Sequence, residues 1–599
     1  MAKKKEIDKE LEAIRHSAEH VLTQAMIKLY PGLKMAMGPA IESGFYFDFD
    51  YDKQINEKDF PKIEKEMQKI IKKDLPFKKE VLTVKEARKL FRGNPYKQEW
   101  LDEIEKKKEK AVIYRTGDEF VDLCSGPHVK STGKIGTLKL LSIAGAYWRG
   151  DEKNKMLTRI YGTAFKTKKG LAKYLTNLEE AKKRDHRKIG KETELFLIDP
   201  MAGLGLVMWQ PKGALLWKII EDFWHKEHLK SGYELVRAPH IGNRKLWETS
   251  GHWDFYSDSM YPPLEVDKSL TEAKKGKKSK TKEEYLLKPM NCPFHVLIYN
   301  SKIRSYKELP IRWAECGTVY RYEKSGELSG LTRVRGFTID DAHIICTKDQ
   351  VKDELKKVID FIIYIFKAFG FKKENIHVYL SLRGAKDKKN YIGDDQGWKF
   401  TQKVLEETIK EKGLDYEKEE GEAAFYGPKF DFKIKDSVGR LWQCSTLQFD
   451  FNLPERFKMT FINKNGKKEQ PYMLHRALFG SFERFIGLLI EHYKGAFPLW
   501  LAPEQMWVIP VGKQHIKYAK DIIKELAEND FRCQLKEENE SVSKKIRKGE
   551  IQKIPYLLVV GDEEKKEKSV RVREKGKDLG KIKLTRFIEK AKIKIDKKR

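Results

Sequence analysis

The sequence predicts a multidomain chain of mixed α and β structure that ends in a small α/β domain. Three observations predict this. The chain has 599 residues, which at roughly 100–200 residues per domain gives about three to five domains with length for separate cores. Hydrophobic residues are 40% and aromatics 11%, the composition of packed rather than disordered chains. Short apolar strands interchange with charged helices in the first and last blocks, and no internal repeat organises the chain.

The first block covers about 180 residues. It opens on a helix whose apolar positions Leu11, Ile14, Ala18, Val21, Leu22, Ala25, Met26 and Leu29 recur at helical spacing, and Pro31-Gly32 stops it. A Lys/Glu-rich helix from about Leu171 to Thr193 reads as a connector. From Phe196 to about Trp500 the chain is richer in strands, Trp and Gly. Within it, residues 265–284 (EVDKSLTEAKKGKKSKTKEE) are low in complexity and very basic, and read as a mobile surface insertion. Leu501-Ala502-Pro503 reads as a linker. Beyond it come strand MWVIPVG, helix HIKYAKDIIKELAEND, strand FRCQLKEE, helix SVSKKIRKGEIQ and strand PYLLVVGDEE, then a strand pair and a final helix. That alternation predicts the α/β domain.

Lys plus Arg number 121 and Asp plus Glu 90, a net charge of +31. A chain this basic faces polyanions, nucleic acid first, with a Lys-rich proteome as the alternative. No apolar run reaches the roughly 18 residues of a membrane span. MAKKKEIDKE lacks the apolar core of a secretory signal. Six cysteines stand without CxxC pairing, which excludes a disulfide framework and fits a reducing cytoplasm. Each is a small buried hydrophobe, a metal ligand or a polar-site group.

Three middle segments carry chemistry. GYELVRAPHI ends a strand at Pro239 after a long helix. VYRYEKSGELSGLTRVRGFTIDDAHIIC holds Arg321 and Glu323, a polar loop, then Arg333 and Arg335. Period-two alternation puts Arg321 and Glu323 on one face. The Arg fork suits a phosphate, and Glu can accept from an amino group. HRALFGSFERFIGLLIEHYKG places Arg484 on an apolar helix after Gly480, a glycine for close packing or close ligand approach. Each alone is weak, since an Arg on such a helix is usually a surface ion-pair partner.

In this order and spacing the three segments resemble the signature motifs of class II aminoacyl-tRNA synthetases. KPMNCPFH, RVRGFTIDDAH, AFYGPKFDF, WQCSTLQFDF and HRALFGSFERFIG resemble the threonyl-tRNA synthetase family, as do HSAEH, DLCSGPHV and AYWRGDEKNKMLTRIYGTAF in the first block. The resemblance runs from about Arg15 to Ile593. It implies an α+β catalytic domain with an antiparallel sheet at 186–501, including the basic insertion 264–284. It also implies an α+β editing domain with connecting helix at 1–185 and an α/β anticodon-binding domain at 502–599. The implied reaction joins threonine to tRNA(Thr) through an adenylate, with ATP and Mg2+, in a cytoplasmic homodimer. The family's common form carries a further small N-terminal domain; here HSAEH begins at residue 16, so that domain is expected to be missing.

The resemblance also assigns residues. Arg321 and Arg484 would hold the ATP phosphates, with Arg333 near them, and Glu323 the adenine amino group. Cys292, His343 and His475 would bind one Zn2+ per subunit, a set that spacing alone does not reveal. Three protein ligands leave a position open for substrate. Asp341 would take the substrate ammonium. Tyr426, Gln443 and Gln448 would line the pocket, with Lys429 near the adenylate. His252 would help deprotonate the tRNA ribose hydroxyl. Ile339 stands where the family usually has Gln, and Phe294 where it has Gly, which puts the surroundings of Asp341 and Cys292 in question.

His16 and His20 share a helix face at i and i+4, and Cys124 and His128 form CxxxH beside Asp122. Such a set ordinarily suggests a structural zinc site. The resemblance suggests instead a metal-free hydrolytic pocket for mischarged seryl-tRNA, with Tyr46, Asp48, Lys155 and Tyr161 as weaker members. Asn539 and Arg573 would contact anticodon bases, with Arg571 a further candidate, although Gln552-Lys553 depart from the family's usual Arg. A tRNA- or mRNA-binding regulatory paralogue without ligase activity is the alternative; retention of Arg321, Glu323 and Arg484 speaks against it.

Overall fold

The computed structural model describes all residues but 1, 42, 279, 280, 282, 385–387, 437–439 and 599, with backbone only for 2–8. It divides into two compact units, Met1–Glu179 and Glu180–Arg599.

In the first unit the helix Ala2–Leu29 ends just before Pro31-Gly32, where Gly32 takes φ +87°. Ile14, Ala18, Val21, Leu22, Ala25 and Met26 are all buried, the apolar stripe that the spacing predicts. They share a core with Phe45, Phe47 and Phe49, which alternate inward along the strand Gly44–Asp50. That strand pairs antiparallel with Met156–Phe165, and Met156–Phe165 with Thr137–Tyr147. A second antiparallel sheet joins Phe77–Leu82, Ala111–Thr116 and Phe120–Leu123.

The expected single connecting helix is two helices, Lys168–Arg184 and His186–Glu192. Asp185 breaks the run: its side chain accepts from Arg187 N–H at 2.8 Å and caps the second helix. His186 is buried there against Glu491, Nδ1 to Oε1 2.7 Å.

The second unit is built on an eight-stranded sheet. Its central strands, Ile311–Tyr320, Gly336–Cys346, Tyr472–Ser481, Leu441–Asp450, Lys429–Lys435 and Ile376–Leu382, are antiparallel in that order. Glu234–Leu235 and Tyr416–Glu420 add parallel edges. Alternation splits Gly336–Cys346 between two faces. Ala342 and Ile344 enter a core shared with the helices Pro211–Lys230, Val351–Ala368, Asp395–Glu411 and Phe482–Tyr493. Ile339, Asp341 and His343 line a cavity on the other face.

The basic insertion is more regular than its composition suggests. It holds an edge strand Leu264–Glu265 and a helical turn Leu270–Lys274 capped by Ser269; its residues 279, 280 and 282 lie outside the described residues. The C-terminal part of this unit carries a five-stranded sheet. Cys533–Leu535, Met506–Pro510 and Tyr556–Val560 are parallel, and Ser569–Glu574 and Lys577–Lys583 continue antiparallel.

Candidate functional site

A cavity of about 330 Å³ opens on the face of the large sheet that carries Ile339, Asp341 and His343. Arg321, Glu323, Arg333, Asp341, Tyr426, Gln443, Gln448, Arg484, Cys292, His343 and His475 all line it, although 192 residues of sequence separate the first from the last of them. Lys429 and His252 are outside its lining.

Part of the lining is cationic. Arg321 follows the strand Ile311–Tyr320, its guanidinium carbon 5.0 Å from the centre of the Phe337 ring. Arg484 rises from the first turn of Phe482–Tyr493, where Ser481 caps the helix. Burial first, then the like charges of Arg321 and Arg333, lower the Arg484 guanidinium. Three guanidiniums held this close suit a ligand with several negative charges. Glu323 is engaged by Arg333, Oε2 to Nε 2.7 Å.

The helix start is fixed by two residues. Gly480 takes φ +80°, and a Cβ there would come within 2.7 Å of Cys444 O, so it serves close packing. Asp340, on the opposite face from Asp341, accepts from the N–H groups of Leu478, Phe479 and Gly480 at 2.7, 3.0 and 3.0 Å.

Another part gathers metal-ligand chemistry. Ligand atoms of Cys292, His343 and His475 lie within 4.8 Å of one another, and all three residues are buried. His343 and His475 face each other across paired strands, Nε2 to Nδ1 3.1 Å. The other nitrogen of His475 meets Asp450 Oδ2 at 2.8 Å, the carboxylate–histidine arrangement of metal sites. Burial drives the His343 imidazole well below its ordinary range, which keeps it neutral and able to coordinate. The donor set fits zinc: one sulfur, two nitrogens and an open side. Asp341 stands next to it, Oδ1 3.9 Å from His343 Nε2, with Oδ2 accepting from Asn291 at 3.1 Å. Tyr426 donates its hydroxyl proton to Gln448.

Behind this part, His252 Nε2 is 3.9 Å from Cys292 Sγ and Nδ1 is 2.7 Å from Ser250 Oγ. Burial, then the charges of His475 and Arg321, push His252 down to about 3. Lys429 pairs with Asp431 at 2.5 Å, and Asp431 also accepts from Gln443 at 2.6 Å. Of the two departures, Ile339 lines the cavity beside Asp341. Phe294 turns away: its ring packs on Trp247 and over Gly242, where a Cβ would come within 2.7 Å of it.

The first unit has its own cavity of about 510 Å³, lined by His16, His20, Asp122 and Cys124. Cys124 Sγ lies 3.3 Å from His16 Nε2 and 3.2 Å from His128 Nε2. Burial pushes the Cys124 thiol up to about 12 and His128 down to about 3. His16, His20, Cys124 and His128, the last outside the cavity lining, also meet the distances of a metal group. Lys97, which no sequence pattern singled out, is buried in the same wall with Nζ 2.5 Å from Asp122 Oδ1. Tyr46, Asp48, Lys155 and Tyr161 do not line this cavity. Asp48 is held by Arg159 at 2.6 and 2.7 Å, and Lys155 pairs with Asp50.

In the C-terminal sheet, Asn539 is exposed on the turn before Val542–Ile551. Arg573 lines a separate cavity with Glu550 and Lys553. Arg571 pairs with Asp578 at 3.0 Å.

Comparison with known proteins agrees with this layout. Residues 274–493 match the tRNA synthetase class II core domain (G, H, P, S and T). Residues 505–594 match an anticodon binding domain, and 112–161 the threonyl and alanyl tRNA synthetase second additional domain. A threonine–tRNA ligase of Sulfurihydrogenibium sp. is 51% identical over 98% of this chain and 89% of its own.

The chain belongs to the threonine–tRNA ligase family.

Another ligase of this name, from Dehalococcoides mccartyi, is 49% identical over 94% of this chain and 93% of its own. Among solved structures, the RNA binding domain of the Cryptosporidium parvum threonyl-tRNA synthetase superposes with a TM-score of 0.62 at 34% identity, over 68% of this chain and 98% of that one. A prolyl-tRNA synthetase of the same organism, at 16% identity and TM-score 0.53, covering 69% of this chain and 75% of that one, shares the fold. Membership brings the ligase class: a class II synthetase core works on ATP with Mg2+. No helix among the described residues is long and apolar enough to cross a membrane.

Proposed function

We propose that this chain joins threonine to tRNA(Thr) through a threonyl-adenylate and hydrolyses mischarged seryl-tRNA in its first unit. One observation carries the reading: three guanidiniums and a Cys/His/His donor set line one cavity. Arg321, Arg333 and Arg484 bind and bend the ATP phosphates, and neutralise charge as pyrophosphate leaves. Glu323 exchanges its bond to Arg333 for one to the adenine amino group. Asp341 orients the threonine ammonium, and Tyr426, Gln443 and Gln448 orient its carboxylate and the α-phosphate, with Lys429 holding Asp431 behind them. His252, neutral because buried, accepts the ribose proton in the transfer step. Cys292, His343 and His475 would hold one zinc ion, which when bound supplies a Lewis acid for the substrate amino group and hydroxyl.

A cavity that reads the hydroxyl rejects valine but passes serine, because one methyl is worth only about 1–3 kcal/mol. The first unit supplies the second sieve. Its neutral His16, His20 and His128 and its thiol Cys124 position water on the ester, without a resident metal. Domain limits of 1–185, 186–501 and 502–599 fit this division of labour, with Asn539 and Arg573 on the anticodon.

Exposed apolar side chains at Leu197, Met201, Leu204, Leu206, Met208 and Leu215 support a homodimer; Met201 is 99% exposed. Six free cysteines fit a reducing cytoplasm.

The test is ATP–pyrophosphate exchange with threonine, serine and valine before and after zinc chelation, alongside metal analysis. The reading expects strong exchange with threonine, weaker with serine, none with valine, and loss on chelation, with one zinc per chain. Two zincs per chain would make the first unit a metal site. No exchange from folded, zinc-loaded protein would overturn the ligase reading.

A further inference from the structure

We infer that His295 and Glu315 form a relay that fixes which nitrogen of His343 faces the metal position, and so sets how tightly the site holds its ion. The inference rests on the reading of Cys292, His343 and His475 as metal ligands.

Glu315 Oε2 accepts from Ala238 N–H at 3.0 Å, and Oε1 lies 3.1 Å from His295 Nε2. Lys288 Nζ stands 4.0 Å from the same oxygen. A carboxylate only accepts, so the proton between them sits on His295 Nε2, and in the neutral imidazole that the relay requires Nδ1 keeps its lone pair. That lone pair faces His343 Nδ1 at 2.8 Å. The proton in this second bond therefore belongs to His343, and His343 Nε2 is left bare. On the facing strand, Asp450 takes the proton of His475 Nε2 at 2.8 Å and leaves His475 Nδ1 bare. The two bare nitrogens are 3.1 Å apart. Two lone pairs aimed at one point repel each other, and a cation between them removes the conflict. Glu315, His295, His343, His475 and Asp450 are all buried, so water does not compete for these bonds.

One carboxylate acts on its ligand directly. The other acts through an interposed imidazole that touches neither metal nor substrate. His295 lies three residues after Cys292 on the helix Cys292–Asn300, so a single turn delivers both a ligand and the group that positions the next one. His295 and Glu315 are positioning residues.

The experiment uses the full-length protein. Zinc affinity is measured by chelator competition for wild type, His295→Leu, His295→Asn, Glu315→Gln and His343→Ala, with circular dichroism for folding and cobalt(II) spectra for coordination. Loss of an outer partner typically costs about 10- to 100-fold in metal affinity, and His295→Leu is expected in that range with altered cobalt bands. His295→Asn keeps an oxygen acceptor near Nδ1 and should retain more affinity than His295→Leu. The amide in Glu315→Gln can donate to His295 and reverse the relay, so several-fold weaker binding is expected. Threonine exchange should recover at saturating zinc. A folded His295→Leu protein that holds zinc as tightly as wild type overturns the relay; if that variant does not fold, unchanged affinity in Glu315→Gln does so. Wild type without zinc overturns the ligand reading itself. Zinc in wild type, none in His343→Ala and no change in the His295 variants overturns the relay alone.

Discussion

Lys97 Nζ and Asp122 Oδ1 lie 2.5 Å apart, both buried, in the wall of the first unit's cavity. Removing one member of a buried pair leaves an uncompensated charge and costs about 3–5 kcal/mol, whereas replacing both is often neutral. Lys97→Met is therefore expected to destabilise the first unit by about that much and to abolish seryl-tRNA hydrolysis. Lys97→Met with Asp122→Leu should recover stability without hydrolysis. Urea unfolding and a deacylation assay separate the two effects; recovered hydrolysis in the double variant would remove the pair from the chemistry.

His16→Ala with His20→Ala should accumulate seryl-tRNA while threonylation continues, because the catalytic cavity lies in the other unit. Charging assays with serine and threonine decide this. Absence of seryl-tRNA would mean that the first unit has another task.

Asp340 holds three consecutive backbone N–H groups at the bend before Arg484. In Asp340→Asn an amide N–H meets one of those donors, an unsatisfied buried contact worth about 1–3 kcal/mol. Arg484 shifts with the bend, so KM for ATP should rise more than KM for threonine in the exchange assay. Equal changes in both would indicate general destabilisation.

His252 is held near 3 by burial, so it stays neutral from pH 5 to 8. Replacing a general base typically costs about 10²–10⁴-fold. His252→Ala should slow transfer to tRNA by that order while exchange persists. Single-turnover transfer should show no change between pH 5 and 8 that the variant abolishes; such a change would assign the titration to His252.

His128 and His20 are both depressed by burial, His128 to about 3. An unfolded histidine protonates near 6.5. Between about 3 and 6.5 the unfolded chain thus binds more protons, and stability falls as pH falls, by up to about 1.4 kcal/mol per pH unit for each such group. Urea midpoints at pH 7, 6 and 5 should drop, less steeply in His128→Asn. An equal slope in that variant would locate the effect elsewhere.

Much of the architecture is legible because its cause is local. The stripe from Ile14 to Met26 and the alternation of Phe45, Phe47 and Phe49 each commit one face to a core within a single element. Asp185 was harder. Its neighbours are strong helix formers, so the break shows only in the cap it makes and in the burial of His186 against Glu491, 305 residues away in sequence.

The site divides in the same way. Motif words placed Arg321, Glu323, Asp341, Cys292, His343, His475 and Arg484 as candidates, and alternation put Arg321 and Glu323 on one face. Lys97 and Glu315 carry no pattern of their own, and Asn291, His295 and Asp340 sit inside motif words that assign them no role. Each matters through a partner brought within about 3 Å by strand pairing or helix docking, the reach of a hydrogen bond. The sequence by itself determined which elements form, which of their faces are apolar and which chemical groups are available. Only the tertiary structure decided which buried charges pair and which imidazole nitrogens are bare, because these depend on three-dimensional distances between residues far apart in the chain.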